Sequence, residues 1–191
     1  LSATLAFDAV ACLRGDRLLF EGLSFTLAPG EAALVTGPNG AGKSSLLRIA
    51  AGLLRPAAGR VQAEGTRALA AADGTALDGA LPLARALGFW AALDRVRPSA
   101  VADALDAMGI AHLAQVPVRL LSTGQRRRAA LARVIAGGAA IWLLDEPGNG
   151  LDASASERLA DAMARHRAEG GIVLAATHQP IGLSDARGIQ L

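Results

Sequence analysis

Residues 37–45 read GPNGAGKSS and match the pattern G-x-x-x-x-G-K-[ST] at every fixed position. A short apolar segment, AALVTG (32–37), precedes the match, and a helix-forming run over about 42–53 follows it. That order of strand, loop and helix is the context in which such a loop cradles phosphate. Gly37, Gly40 and Gly42 let backbone N–H groups turn inward, with Pro38, Asn39 and Ala41 completing the loop. The helix N-terminus adds about half a positive charge. Lys43 supplies a full charge to the outer phosphates, Ser44 a hydroxyl for Mg²⁺, and Ser45 the next helical position.

A second group of reactive residues closes the segment IWLLDEP (141–147). Four apolar residues and then two acids describe a buried strand with carboxylates at its carboxyl end. Asp145 there can hold Mg²⁺ beside the phosphate loop, and Glu146 can act as general base toward an attacking water. A third apolar run, GIVLAAT (171–177), ends at His178, a candidate γ-phosphate contact. Lys43, Glu146 and His178 are thus the candidate catalytic residues, and Ser44 and Asp145 the candidate metal ligands.

These residues need a scaffold, and the rest of the chain describes one. The 191 residues suffice for one α/β domain. Uniformly apolar strands alternating with helices indicate a parallel sheet covered on both faces, with helices over about 125–136 and 153–168. The first thirty residues read as two short strands, 4–11 and 23–27, joined by an RGDR turn. Residues 66–119 are alanine-rich and predict a small helical insertion. The expected division is therefore a single domain over 1–191. Its nucleotide-binding core covers 1–65 and 138–191, and its helical subdomain about 66–137.

Composition narrows the function classes. The longest uncharged apolar run noted in the core, VIAGGAAIWLL, is short of the ~20 residues that cross a bilayer. Asp8, Arg14, Asp16 and Arg17 interrupt any apolar leader in the first thirty residues. One cysteine, Cys12, excludes an internal disulfide and suits a reducing compartment. The formal net charge is +2, and Lys43 is the only lysine beside 18 arginines. Arg126, Arg127 and Arg128 open a helix and spread over about 200° of its surface, so they do not form one flat nucleic-acid patch.

In combination, the motifs resemble the ATP-binding cassette family, the ATPase subunits of ABC transporters. GPNGAGKSS is similar to its Walker A motif, LSTGQ (121–125) to the signature, IWLLDEP to Walker B, GNGLD (148–152) to the D-loop, and THQP to the switch-histidine loop. The likeness is greatest to the small cassettes of the haem-exporter-type cytochrome c maturation system, on RGDRLLFEGLSFTLAPGE, FWAAL, GQRRRAALAR and GGIVLAATHQP. The resemblance implies a P-loop NTPase fold with an antiparallel N-terminal β part and a helical subdomain. It implies ATP and Mg²⁺ as ligands, and ATP hydrolysis as the activity. It also implies a head-to-tail homodimer in which Ser122 and Gly124 of one copy meet the nucleotide of the other, and Asp152 links the two sites. The implied partners are integral membrane permease subunits of the CcmB or CcmC kind, with no nucleic acid, at the cytoplasmic face of a bacterial inner membrane. Cassettes for another cargo and regulatory cassettes with weak hydrolysis share these motifs.

Three positions depart from the family pattern. Thr123 replaces a signature glycine, and its β-branch disfavours positive φ, so a weakened clasp is expected. The region where members carry Gln or His reads RALAAADGTALDG (67–79), with Asp73 its nearest polar residue. Arg14 stands where an aromatic ring usually stacks on adenine, and a guanidinium plane can stack on a base too.

Overall fold

The computed structural model describes residues 3–71 and 76–191. Strands β1 (Thr4–Arg14) and β2 (Arg17–Leu27) form an antiparallel hairpin whose register runs from Leu5 opposite Leu27 to Arg14 opposite Arg17. The pairing takes in both arginines of RGDR, leaving Gly15–Asp16 as the turn, so both strands are longer than their apolar cores predict. After β3 (Ala32–Thr36) and helix α1 (Lys43–Ala50), strand β4 (Ala58–Glu64) pairs with the free side of β1. The result is a three-stranded sheet ordered β2-β1-β4.

The second sheet adds β5 (Arg67–Ala70), β6 (Ile141–Asp145), β7 (Ile172–Ala176) and β8 (Arg187–Gln190) to β3. Its order is β5-β6-β7-β3-β8, and each adjacent pair is parallel. Every residue of β6 and β7 is buried, which is why both read as unbroken apolar runs rather than alternating ones. Successive side chains still go to opposite faces. Ile141 and Leu143 join Leu46 and Leu47 of α1 and the stacked Phe7–Phe25 pair (4.5 Å between centroids). Trp142 and Leu144 face the other way, toward α4 (Thr123–Ala136) and α5 (Ala153–Ala168). Beyond these lie α2 (Leu83–Leu93) and α3 (Ala100–Ala107), whose Leu87 and Leu105 complete that core.

One boundary differs from the sequence expectation. Residues 67–70 are not part of a helical insertion but the edge strand of the parallel sheet. RALA carries no strand signature, yet the outer backbone of β6 needs hydrogen-bond partners and β5 supplies them. Strands β4 and β8 were likewise not expected: both are mostly exposed, and β8 buries only Ile189. Asp73 lies outside the described residues.

The α5 face contains a titratable group. His166 is 6% exposed and stacks on Trp142, with centroids 4.0 Å apart and planes 9° from parallel. Burial pushes its pKa below the ordinary 6.5, and the nearby backbone of Ile172 and Ala140 only partly offsets this. A neutral ring in the fold and a protonatable one in the unfolded chain give stability that is present above about pH 6.5 and lost as pH falls below it. Urea unfolding should therefore show stability declining between about pH 6.5 and pH 5. His166→Phe, which keeps a ring against Trp142 but cannot titrate, should flatten that segment. An unchanged slope in the variant would contradict a buried neutral histidine.

Candidate active site

The carboxyl ends of β3, β6 and β7 lie along one edge of the parallel sheet, where ligand crevices of open α/β folds form. The loop after β3 leads into α1 through Gly42, which is left-handed at φ 108° and ψ 10°. A Cβ there would lie 3.1 Å from Leu19 and Phe20 of β2, so backbone angle and space both require glycine. No side chain caps α1 among the described residues, and its first turn holds no acid. Its N-terminal N–H groups and dipole are thus free to meet an anion.

Lys43, the first residue of α1, is only 8% exposed. Its ammonium donates to the carbonyls of Gly37 (2.7 Å) and Pro38 (3.1 Å) and to His178 Nε2 (2.8 Å). A ring nitrogen that accepts from an ammonium carries no proton, which puts the imidazole proton on Nδ1. The 3.8 Å approach of His178 Nε2 to Glu146 Oε1 is therefore not a charge pair in this arrangement. Asp145, at the end of β6, is 5% exposed. Glu146 follows it with φ 46°, and its N–H donates to the carbonyl of Ala176 (2.8 Å).

Between these groups lies a cavity of about 320 Å³. Its walls are Asn39, Gly40 and Gly42–Ser45 on one side, Asp145 and Glu146 on the other, and Leu19 at the margin. Gly37 and Pro38 take part only through the carbonyls that hold Lys43, and Ala41 closes the turn by donating to Pro38 (3.2 Å). Ser45 also touches the hairpin, bonding the buried Cys12 thiol, whose pKa burial raises. Ser44 and Asp145 bring a hydroxyl and a carboxylate to the same cavity, hard oxygens of the kind Mg²⁺ prefers.

The remaining expected residues do not line this cavity. Arg14 is exposed at the tip of β1. Ser122 is the N-cap of α4 in a reciprocal box: its hydroxyl accepts from the N–H of Gln125 (3.3 Å), and its own N–H donates to Gln125 Oε1 (2.9 Å). Thr123 is the first residue of α4 and has no positive φ, so its β-branch meets no backbone obstacle. Gly124 backs onto the carbonyl of Gly150 so closely that a Cβ would lie 2.9 Å from it. Asp152 caps α5 by accepting from the N–H of Ala155 (2.8 Å), a role the motif alone did not suggest. Ser122, Thr123 and Asp152 are all exposed to solvent.

The position directly after β5 is Ala71, next in line with Asp145 across the β5–β6 pairing. Its side chain is a methyl group, and its carbonyl accepts from Arg127 Nη1 (2.9 Å). Sequence reading treated the three arginines alike. The usable signal was that Arg127 shares a helix face with the buried Leu131 and Val134.

Comparison with known proteins agrees with this geometry. Residues 20–149 match the family model described as ABC transporter. The chain belongs to the ABC transporter family. It is 60% identical over 185 residues to the cytochrome c biogenesis ATP-binding export protein CcmA of Sphingopyxis alaskensis, covering 97% of this chain and 95% of that one. It is 52% identical over 190 residues to the protein of the same name from Zymomonas mobilis, covering 100% of this chain and 85% of that one. The same fold recurs in a bacterial Atm1-family ABC exporter with ATP bound (TM-score 0.81, 24% identity, 100% of this chain and 37% of that one). It recurs also in an ATP-binding subunit of an ABC transporter (TM-score 0.82, 21% identity, 91% and 79%). The cassette is thus an ABC-type ATPase subunit that binds nucleotide.

The capping box yields a stability prediction independent of turnover. Ser122→Ala should lower unfolding free energy by about 1 kcal/mol, the usual cost of losing an N-cap oxygen. An unchanged denaturant midpoint would show that the box does not hold in solution.

Proposed function

We propose that this cassette hydrolyses ATP to drive a cytochrome c biogenesis export complex, the system named for its 60% identical relative. The observation that carries the chemistry is the convergence of Lys43, Ser44, Asp145 and Glu146 on one cavity at the mouth of α1. ATP binds there with its outer phosphates against Lys43 and the N-terminal N–H groups of α1. Its adenine lies toward the β1–β2 hairpin, within reach of Arg14. Ser44 and Asp145 hold Mg²⁺, which when bound neutralises phosphate charge. Glu146 takes a proton from a water, whose oxygen attacks the γ-phosphorus in line as the bond to the β-phosphate oxygen breaks. ADP and phosphate result. His178 steadies the γ-phosphate, and catalysis is mainly positioning and charge stabilisation.

Ser122, Gly124 and Asp152 do not line the cavity, and Ser122 and Asp152 are exposed to solvent, which supports a head-to-tail homodimer in which each copy's α4 closes the other's site. The chain acts as one domain, with 3–71 and 138–191 forming the core and the helices between them the subdomain. No helix among the described residues is long and apolar enough to cross a membrane, so the membrane path belongs to other chains. Permease subunits of the CcmB or CcmC kind dock on the groove of about 770 Å³ between β5, the end of α2 and α4. Its mouth shows exposed Leu53 and Leu93 beside Arg67, Asp94 and Arg133. The cassette then sits peripherally on the cytoplasmic face of the inner membrane. An export complex for a different cargo would use the same site.

Single-turnover hydrolysis separates this ATPase from a regulatory cassette. Glu146→Gln should cut the rate at least about 100-fold, the usual share of a general base, with ATP affinity retained. Equal rates for variant and wild type would refute Glu146 as the base.

A further inference from the structure

Glu146 is one of four non-glycine residues among those described with positive φ, and the only one of the four at the site. A non-glycine residue in this region persists only when its surroundings over-determine it. One side chain does most of that. Arg127, in the second turn of α4, sends its guanidinium toward the end of β6. Nη2 donates to the carbonyls of Asp145 (2.5 Å) and Glu146 (2.6 Å), Nε to that of Pro147 (3.4 Å), and Nη1 to that of Ala71 (2.9 Å). The carbonyls on both sides of the Glu146 φ/ψ pair are thereby pinned by one nitrogen.

We infer that Arg127 is a positioning residue for hydrolysis: it holds Glu146 in its left-handed conformation and ties that conformation to α4 and to Ala71, directly after β5. The inference rests on Glu146 being the base. A guanidinium suits this task because its planar fork reaches several acceptors at fixed angles, whereas an ammonium is a point charge. It also links the end of β5 to the acid through the backbone of Ala71, with no side chain needed there. Ser122 and Gly124 lie at the N-terminal end of the same helix, so Arg127 joins that helix to the base.

The test is a double-variant cycle on the full chain, reading single-turnover ATP hydrolysis and ATP affinity. Arg127→Lys keeps the charge and most of the volume but loses the fork. It should slow hydrolysis at least about tenfold with ATP affinity within about twofold of wild type. Arg127→Ala should be slower still. In a Glu146→Gln background neither change should slow the residual rate further, because the group it positions is already gone. A wild-type rate for Arg127→Lys would overturn the inference, as would an equal fold-loss in both backgrounds. Should Arg127→Ala fail to fold, the lysine variant decides alone. A wild-type rate for Glu146→Gln would instead remove the base on which this depends.

Discussion

An ammonium group on a lysine that is only 8% exposed is expensive to bury unless every proton finds an acceptor. Lys43 has three, the carbonyls of Gly37 and Pro38 and the ring of His178. Two come from the loop after β3 and one from the segment after β7, so the lysine is satisfied only if those strands are parallel neighbours ending at one edge. The β3–β7 pairing, with Ala32 opposite Val173 and Val35 opposite Ala176, provides this. A triphosphate offers stronger acceptors than two carbonyls and an imidazole. The lysine is thus held by groups that a nucleotide can replace.

The scaffold serves that edge from both faces. On one, α1 is clamped between the parallel sheet and the hairpin by Leu46, Leu47 and the phenylalanine pair. This fixes the direction of its N-terminus, and Gly42 lets the hairpin approach the loop closely. On the other, α4 carries two functions on different parts of its surface. Its N-terminus presents Ser122 to solvent, and its buried side inserts Arg127 under the acidic loop. Burial lowers the affinity of that guanidinium for its proton, while Asp145 and Glu146 raise it.

The phosphate loop, the acidic strand and the histidine were legible because each couples a buried apolar run to a polar group at its end. Burial on both faces leaves no room for polar residues within β6 and β7, so their ends stand out. The same reasoning missed β5, where RALA borrows its structure from the neighbouring edge rather than declaring it. It started α4 at Gln125, whereas the helix begins at Thr123, whose φ is not positive. Arg127 was hidden among three arginines whose roles depend on rotation about the helix, which becomes evident only with Leu131 and Val134 facing the core. Asp152 was visible as a motif residue, but its capping of α5 is a matter of backbone geometry.

The exchange of acceptors at Lys43 is tested most directly by calorimetric titration of ATP and AMP, with Mg²⁺, into wild type and Lys43→Met. ATP affinity should fall at least about tenfold in the variant, the loss of one charge-assisted contact, with AMP binding unchanged. A variant that binds ATP as tightly as wild type would contradict a lysine held in reserve for the outer phosphates.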